Sequence, residues 1–397
     1  MKATRTARTA KYMPGYRKLH PVVGVDYALN RWLPYMAETD VAEAAGRIAT
    51  VDDWVREFSR LAEIADREGR SLNGAFYYCA AEFYLRRDNP TRAGLMERAL
   101  KLYDEVIHDW GAERHDIPYG NGFLPALVLR AKGRCRDTLV MHGGFDSYKE
   151  EFFMAAPRYA EMGFDVIAFD GPGQGQALRK YGLVMTPEWE RPVAAVLDHF
   201  KIADCALMGF SLGGYLAPRA AAFEDRIKRL IVDDVLSDFL AVHTAKMPPP
   251  VVSMLQVAVD AGDVASANAI VGKIVETSEM ARWTFDHGVE VSGSNDYFGY
   301  LGWLKRMSTA GFSDRITQDV LLLAAKEDHI VPLGQFFGQA EAMTNVRSLT
   351  TQLFTRADHA HNHCHVSNTD LLIDYVGMWL GFQERLTAGR RELPPCL

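Results

Sequence analysis

Apolar positions divide the chain into stretches of helical spacing and stretches of short hydrophobic runs. Residues 51–65, 72–87 and 93–110 carry apolar side chains at helical spacing, and Asn89-Pro90 breaks the last two apart. Short apolar runs then predict strands, which are centred on His115, Leu124, Leu139, Val166, Leu207 and Leu230. Helical stretches alternate with these strands. The pattern therefore predicts the α/β class, with a mostly parallel twisted sheet flanked by helices.

The strand pattern stops after residue 235 and returns near residue 312. Pro248-Pro249-Pro250 marks a break, and helices are predicted over 252–261, 264–276 and 297–307. Strands follow at 320–325 and 349–354, and a last helix carries one apolar stripe that ends in Trp379 and Leu380. We predict four segments, which are an amino-terminal helical region that can contribute to a cap (1–112), a first half of the core (113–235), a helical cap insertion (236–311) and a second half of the core (312–397).

Gly209-Phe210-Ser211-Leu212-Gly213 lies between an apolar run and a predicted helix. Strand, tight turn and helix are the context in which G-x-S-x-G forms a nucleophile elbow. The turn forces the serine into strained backbone geometry, and glycine at the flanking positions lets the chain close on itself. Ser211 is therefore the predicted nucleophile.

A serine hydroxyl needs a base, and in this arrangement an acid and then a histidine follow the serine along the chain. Asp328 lies directly after the predicted strand 320–325, and Glu327 is the alternative acid. The loop after the next strand contains four histidines, which are His359, His361, His363 and His365. Spacing alone does not choose a base among them.

Four histidines in seven residues are also a pattern that metal sites use. The chain has no H-E-x-x-H and no paired C-x-x-C, however, so we predict neither a metal nor a cofactor. Asp170-Gly171-Pro172-Gly173-Gln174-Gly175 does not match the dinucleotide-binding pattern. We interpret it as a glycine-rich turn on the rim of the pocket, where Gln174 either touches substrate or packs the loop.

An oxyanion hole requires two backbone amides, each of which contributes roughly 3 kcal/mol. The amide of Leu212 is the first candidate because it follows the nucleophile. The second should come from the loop after the strand at Leu139, where Gly144 and Phe145 are equally good candidates.

Several of these motifs together resemble the α/β-hydrolase superfamily, over roughly residues 110 to 390. They are His142-Gly143-Gly144-Phe145-Asp146-Ser147, the Asp170 turn, the elbow and His363-Cys364. The subgroup that they resemble contains dihydroxy-pseudo-oxynicotine hydrolase, the FrsA-like esterases and acylaminoacyl-peptidase-like proteins. In that subgroup the catalytic histidine precedes a cysteine and lies sixteen residues before a tryptophan. His363, Cys364 and Trp379 fit this spacing, so the resemblance implies His363 as the base, with His359 as the alternative.

Composition narrows the class of protein. A length of 397 residues and a hydrophobic fraction of 48% suit a large core with insertions, and a net charge of −7 argues against a nucleic-acid surface. Five scattered cysteines are typical of a reducing compartment, so we expect a cytoplasmic protein. No apolar run approaches the roughly 20 residues that cross a bilayer. The basic first eighteen residues lack an apolar segment and are expected to be a disordered tail rather than a secretory signal.

The predicted cap is rich in aromatic residues. Trp283, Tyr297, Tyr300 and Trp303 are candidate substrate-binding residues, although each could instead belong to the hydrophobic core of the cap. The function that we predict is a cofactor-independent serine hydrolase. It would cleave an ester bond, or a C–C bond of a ketone or diketone, in a small aromatic or polyketide-like molecule.

Two alternatives remain open at this stage. One is an amidase or peptidase that acts on short acyl-amides or peptides. The other is a non-catalytic protein that binds a ligand on a hydrolase fold. In each case we expect a small-molecule partner and neither nucleic acid nor membrane, and the sequence leaves a homodimer open.

Overall fold

A computed structural model describes residues 13–153 and 155–392, so most of the predicted basic tail lies outside the described residues. An eight-stranded sheet forms the centre, with the strand order β1-β2-β4-β3-β5-β6-β7-β8. Its strands are β1 (Glu113–Tyr119), β2 (Gly122–Leu129), β3 (Asp137–His142), β4 (Phe164–Phe169), β5 (Cys205–Phe210), β6 (Ile227–Asp233), β7 (Asp319–Ala325) and β8 (Ser348–Phe354).

The sheet is parallel from β4 to β8, and β2 pairs with β4 in the antiparallel sense. Every residue of β7 is buried, as expected for a parallel strand that helices cover on both faces. β5 lies between β3 and β6, so the carboxyl ends of these three strands meet at one edge of the sheet. The predicted α/β class and parallel sheet are confirmed.

The helices flank the strands or form the helical regions. In chain order they are α1 (Val23–Trp32), α2 (Glu38–Ala45), α3 (Val51–Arg67), α4 (Ser71–Phe83), α5 (Arg92–Trp110), α6 (Ala155–Glu161), α7 (Gly175–Arg179), α8 (Glu190–His199), α9 (Gly213–Phe223), α10 (Phe239–Thr244), α11 (Pro249–Asp260), α12 (Val264–Glu276), α13 (Glu279–Ser292), α14 (Tyr297–Arg306), α15 (Gly334–Ala342) and α16 (Thr369–Glu392).

Two helices differ from the sequence prediction. The proline run that we interpreted as a break begins α11, since Pro249 occupies its first turn, where no intrahelical donor is required. The sequence reading missed α13, which Ser278 caps by accepting a hydrogen bond from the amide of Ala281. The buried face of α13 includes His287 and Gly288, and these residues interrupt the apolar periodicity.

The described residues divide into two compact units. The first combines the residues up to Glu113 with Leu178–Met185 and Thr244–Arg306, and the second contains Arg114–Ala177, Thr186–His243 and the residues from Met307 onward. The first unit is therefore assembled from three separate stretches of chain. The four segments predicted from the sequence have different boundaries, because Leu178–Met185 of the predicted core and Thr244–Arg306 of the predicted cap both fall in the first unit.

A buried ion network ties the stretches of the first unit together. Glu82 of α4 is fully buried, and its carboxylate accepts hydrogen bonds of 2.6 Å from Arg92 and 2.6 Å from Arg179. Arg92 also reaches Glu290 of α13 at 2.8 Å. These contacts join α4, α5, the segment Leu178–Met185 and α13. Because a buried carboxylate requires charged partners, the network makes each stretch depend on the others.

Two expectations from composition can be compared with the described residues. Cys79, Cys135, Cys205 and Cys364 form no disulfide among the described residues, and Cys396 lies outside those residues. Among the helices of residues 13–153 and 155–392, none combines the length and the apolar character that a membrane span requires.

Candidate active site

Ser211 occupies a sharp turn between β5 and α9. Its φ of 58° lies in the left-handed region, which is unusual for a residue with a side chain. The amide of Ser211 donates to the carbonyl of Asp233 at 2.6 Å, which fixes the turn against the end of β6. A Cβ on Gly209 would lie 2.4 Å from the carbonyl oxygen of Gly213, so only glycine lets strand and helix approach this closely.

His363 lies in a short 3-10 turn after β8 and faces the serine. Its Nε2 accepts from Ser211 Oγ at 2.9 Å, and its Nδ1 donates to Asp328 Oδ2 at 2.7 Å. Only 2% of the His363 side chain is exposed. Nδ1 faces carboxylate oxygens and therefore carries the proton, which leaves Nε2 free to take the serine proton.

Asp328 follows β7 and is fixed by backbone amides. Its Oδ1 accepts from Ile330 N at 2.7 Å and from Val331 N at 2.9 Å, while Oδ2 faces His363. Burial raises the pKa of Asp328, and the imidazole of His363 partly opposes this rise. The alternative acid, Glu327, is exposed and pairs with Arg356 at 2.5 Å.

The other three histidines of the loop have different surroundings. His359 is exposed, and its carbonyl accepts from the Ser367 hydroxyl. His361 is buried, and burial lowers its pKa. His365 is buried and donates from Nδ1 to the carbonyl of Ala360 at 2.8 Å. The structure thus brings Ser211, Asp328 and His363 together and leaves His359 outside this group.

Sequence reasoning missed a pair of acids, Asp233 and Asp234, at the end of β6. Asp234 Oδ2 lies 3.1 Å from His363 Nδ1, and Asp233 Oδ1 lies 2.8 Å from His365 Nε2. Both carboxylates are buried. The available signal was their position, because two acids that end a core strand beside the nucleophile strand lie at the ligand-binding edge of the sheet.

Some of these side chains are of the types that bind metals. Potential ligand atoms of Asp233, Asp234 and His365 lie within 4.8 Å of one another, as do those of Asp234, His363 and Cys364. The second group includes the imidazole that contacts Ser211. Among the described residues, each of these groups contains one of the four loop histidines, His363 or His365.

The loop after β3 lies directly against the elbow. A Cβ on Gly144 would be 2.6 Å from Leu212 N and 2.7 Å from Phe210 O, so the space in front of the Leu212 amide exists only because residue 144 is glycine. The amide of Gly144 itself donates to Ser147 Oγ at 2.8 Å. The sequence left Gly144 and Phe145 open as the second oxyanion donor, and the choice between their amides stays a prediction.

Gln174 fixes the loop after β3 through hydrogen bonds to its backbone. Its Nε2 donates to the carbonyls of Gly143 at 2.7 Å and Gly144 at 2.9 Å, and its Oε1 accepts from Gly171 N at 3.0 Å. The amide group is buried and fully used, which favours the loop-packing alternative over contact with substrate. His142 is also structural. It donates to the Gly143 carbonyl, and burial lowers its pKa to about 4, so the ring is neutral near pH 7.

The four candidate substrate-binding residues belong to the first compact unit. Trp283 donates to the carbonyl of Phe83 at 3.0 Å, and Tyr297 donates to Asp286 at 2.8 Å. Both line a cleft of about 880 Å³ within that unit. Tyr300 and Trp303 are buried, and their rings stack 5.9 Å apart. These contacts suit the cap-core alternative for Tyr300 and Trp303, while Trp283 and Tyr297 retain faces towards the cleft.

Part of this sequence is similar to that of known hydrolases. Hydrolase acrC of Aspergillus aculeatus is 28% identical over 65% of this chain and 67% of its own length. The 20-hydroxy-prefusarin hydrolase FUS2 of Gibberella moniliformis is 29% identical over 74% of this chain and 73% of its own. Across the first fungal hydrolases that it matches, the chain aligns with about half to two thirds of their length.

A solved structure has the same fold as this chain. The 2,6-dihydroxy-pseudo-oxynicotine hydrolase superposes with a TM-score of 0.65 at 21% identity, over 88% of this chain and 94% of that protein. This confirms the fold that the sequence motifs implied. A family description of the alpha/beta hydrolases matches residues 139–372, which contain Ser211, Asp328 and His363. The chain therefore belongs to the alpha/beta hydrolase family.

Proposed function

We propose that the protein is a cofactor-independent serine hydrolase that cleaves a bond next to a carbonyl in a small molecule. The observation that carries the proposal is the continuous contact from Ser211 Oγ to His363 Nε2 at 2.9 Å and from His363 Nδ1 to Asp328 at 2.7 Å. A nucleophile, a base and an orienting acid in this order are what acyl transfer requires.

In the proposed reaction His363 takes the proton of Ser211 while Oγ attacks the carbonyl carbon. Asp328 holds the ring in the correct tautomer and stabilises the imidazolium. The oxyanion receives one hydrogen bond from the amide of Leu212 and a second from the loop after β3, at Gly144 or Phe145. His363 then protonates the leaving group, and a water that His363 activates clears the acyl-enzyme.

The bond that is broken depends on the leaving group. An ester releases an alkoxide, and a ketone or β-diketone releases a carbanion that the substrate must stabilise before His363 protonates it. We favour an ester or an activated C–C bond in an aromatic or polyketide-like molecule. In support, the relatives named above are hydrolases, and one is named for 20-hydroxy-prefusarin.

Labelling with a fluorophosphonate probe tests the proposal. Wild-type protein should be labelled at one residue, and Ser211→Ala should abolish both the label and the hydrolysis of p-nitrophenyl butyrate. Ser266→Ala, which alters an exposed serine of α12, is the matched control and should behave as wild type. Equal labelling of wild type and Ser211→Ala would refute the nucleophile, and an absence of labelling in wild type would favour a ligand-binding protein.

A substrate panel tests the bond type separately. Purified enzyme should turn over aryl esters or β-diketones faster than aminoacyl amides of similar size. A preference for the amides would favour the amidase alternative while leaving the Ser211 assignment intact.

A further inference from the structure

His363 contacts two carboxylates through a single ring nitrogen. Nδ1 lies 2.7 Å from Asp328 Oδ2 and 3.1 Å from Asp234 Oδ2. The two acids come from different strand ends, β7 and β6, and the side chains of both are at most 4% exposed. Nδ1 carries one hydrogen. One acid therefore receives it directly, while the other lies within reach of the same ring.

Asp234 is also fixed from the histidine turn. Its Oδ2 accepts from the amide of Cys364 at 2.7 Å, which places that oxygen beside His363. The turn adopts left-handed φ values at Cys364 (49°) and His365 (52°). Such backbone costs about 1–2 kcal/mol per residue, so it persists only where other contacts determine it.

Two buried carboxylates beside one imidazole repel each other, and a nearby cation offsets the cost of keeping both ionised. The side chain of His365 lies where such a cation is needed. Its Nε2 lies 2.8 Å from Asp233 Oδ1 and 3.7 Å from Asp234 Oδ1, and its Nδ1 donates to the carbonyl of Ala360. A ring that donates from one nitrogen and faces carboxylate oxygens with the other has the surroundings of an imidazolium.

The charged form of His365 is also favoured energetically. Burial alone would lower its pKa, but Asp233 and then Asp234 raise the pKa to about 9. The other groups that face it are the ring of Phe354 at 4.5 Å and, beyond Asp233, the buried hydroxyl of Tyr159. No well-aligned donor from the described residues reaches either oxygen of Asp233, so the contact with His365 is its main compensation.

We propose that Asp234 is a second acid for the imidazole of His363, and that His365, as an imidazolium paired with Asp233, is the counter-charge that allows Asp234 and Asp328 to lie side by side. Asp234 and His365 are positioning residues, because both act on substrate through His363. The proposal rests on the serine-hydrolase function proposed above. Its consequence is that either carboxylate can orient His363 when the other is lost.

The first test is a double-mutant cycle on the two acids, with p-nitrophenyl butyrate as substrate. In a triad with one acid, Asp→Asn costs about 10⁴ in kcat. With a second acid present, Asp328→Asn should lose only about 10- to 100-fold, and Asp328→Asn/Asp234→Asn should fall at least a further ten-fold. Equal activities of Asp328→Asn and the double variant would overturn the proposal.

The second test is the pH profile of kcat/KM, which a purely structural role would not move. His363 faces Asp328, Asp234, Cys364, Ser211 and, at 6.4 Å between ring centres, His329. Removal of the Asp234 charge disfavours protonated His363, so Asp234→Asn should move the acid limb to lower pH by roughly half a unit or more.

Removal of the imidazolium has the opposite effect on the same limb. His365→Asn should therefore move the acid limb to higher pH. Asp319→Asn is the control, because Asp319 is a buried acid at the other end of β7 that pairs with Arg347. It should leave the limb in place. Shifts of the same sign, or no shift in either variant, would overturn the proposal.

A third measurement does not depend on activity. Histidine labelled with ¹³C at Cε1 reports protonation by NMR, and His365→Asn identifies the His365 signal. That signal should remain in the protonated form at pH 7, and a neutral ring there would overturn the proposal. So would a divalent metal bound in stoichiometric amount by wild type and lost in Asp233→Asn. A protein that neither labels nor hydrolyses esters would instead contradict the serine-hydrolase function, while the NMR result still decides the His365 charge.

Discussion

Gly144→Ala is the sharpest perturbation of the proposed oxyanion hole. The added Cβ would lie 2.6 Å from Leu212 N, 2.7 Å from Phe210 O and 3.0 Å from Ser211 Cβ. Carbon atoms in van der Waals contact are about 3.5–4 Å apart. The nearest two atoms are backbone and cannot rotate away. Either the loop or the elbow must move, or the methyl group occupies the space in front of the Leu212 amide.

The expected losses in kcat and in unfolding free energy follow from these two outcomes. Loss of one oxyanion donor costs about 10²–10³ in kcat, and overpacking costs about 1–3 kcal/mol of unfolding free energy. Gly144→Ala should therefore fold with a lowered melting temperature and lose at least about 100-fold in kcat. KM should change little, because the lost interaction belongs to the transition state.

The assay compares kcat and KM for p-nitrophenyl butyrate with thermal unfolding followed by circular dichroism. Gly338→Ala in α15 is the matched control, because a Cβ there meets nothing within 4 Å. It should keep both activity and stability. A folded Gly144→Ala enzyme with wild-type kcat would refute the assignment of this space to the oxyanion.

Four further changes have distinct expected results. His363→Ala should abolish fluorophosphonate labelling, whereas His359→Ala, at an exposed position, should keep most of it; the reverse pattern would make His359 the base. Gln174→Leu removes the donors that hold the oxyanion loop and should lower kcat by about ten-fold with similar KM, and an unchanged kcat would mean that other contacts suffice. Trp283→Ala should reorder kcat/KM across esters of increasing acyl size by ~1–3 kcal/mol, and an unaltered order would place that ring in the cap core. Protonated His365 stabilises the fold fully below about pH 6.5 and loses this effect as pH rises through about 9. The unfolding free energy should therefore fall by about 3 kcal/mol over that range. Denaturant titrations should show this loss in wild type and not in His365→Asn.

Local signals were sufficient for much of the fold and for part of the candidate site. Apolar runs bounded by turn residues located the strands, and the elbow is a continuous strand–turn–helix segment in which Ser211 can be identified by inspection. Asp328 follows directly from the buried strand β7. The choice of His363 required the resemblance, because spacing treats the loop histidines alike. The catalytic roles of these three residues stay predictions.

Other features depend on contacts between distant parts of the chain. The contact of Asp234 with His363 can be inferred only when β6 is known to lie beside β5 and the loop after β8 is known to fold back onto it. The hydrogen bond from the Gly144 amide to Ser147, which bears on the second oxyanion donor, is another contact that no motif encodes. In both cases the missing information is a contact that depends on the folded chain, and no periodic pattern in one sequence reveals such a contact.

The three-part construction of the first unit has a consequence for how the chain is made. Glu82 emerges early in synthesis, Arg179 nearly a hundred residues later, and Glu290 later still. Until then Glu82 and Arg92 have each other but lack Arg179 and Glu290, and the loss of one partner from a buried ion pair or network costs about 3–5 kcal/mol. The amino-terminal helices therefore cannot reach their final packing while the nascent chain is short. Their packing is completed only after the ribosome has synthesised the insertion that follows β6. For the same reason, a truncated gene that encodes only the first 113 residues should yield a product that proteases degrade rapidly.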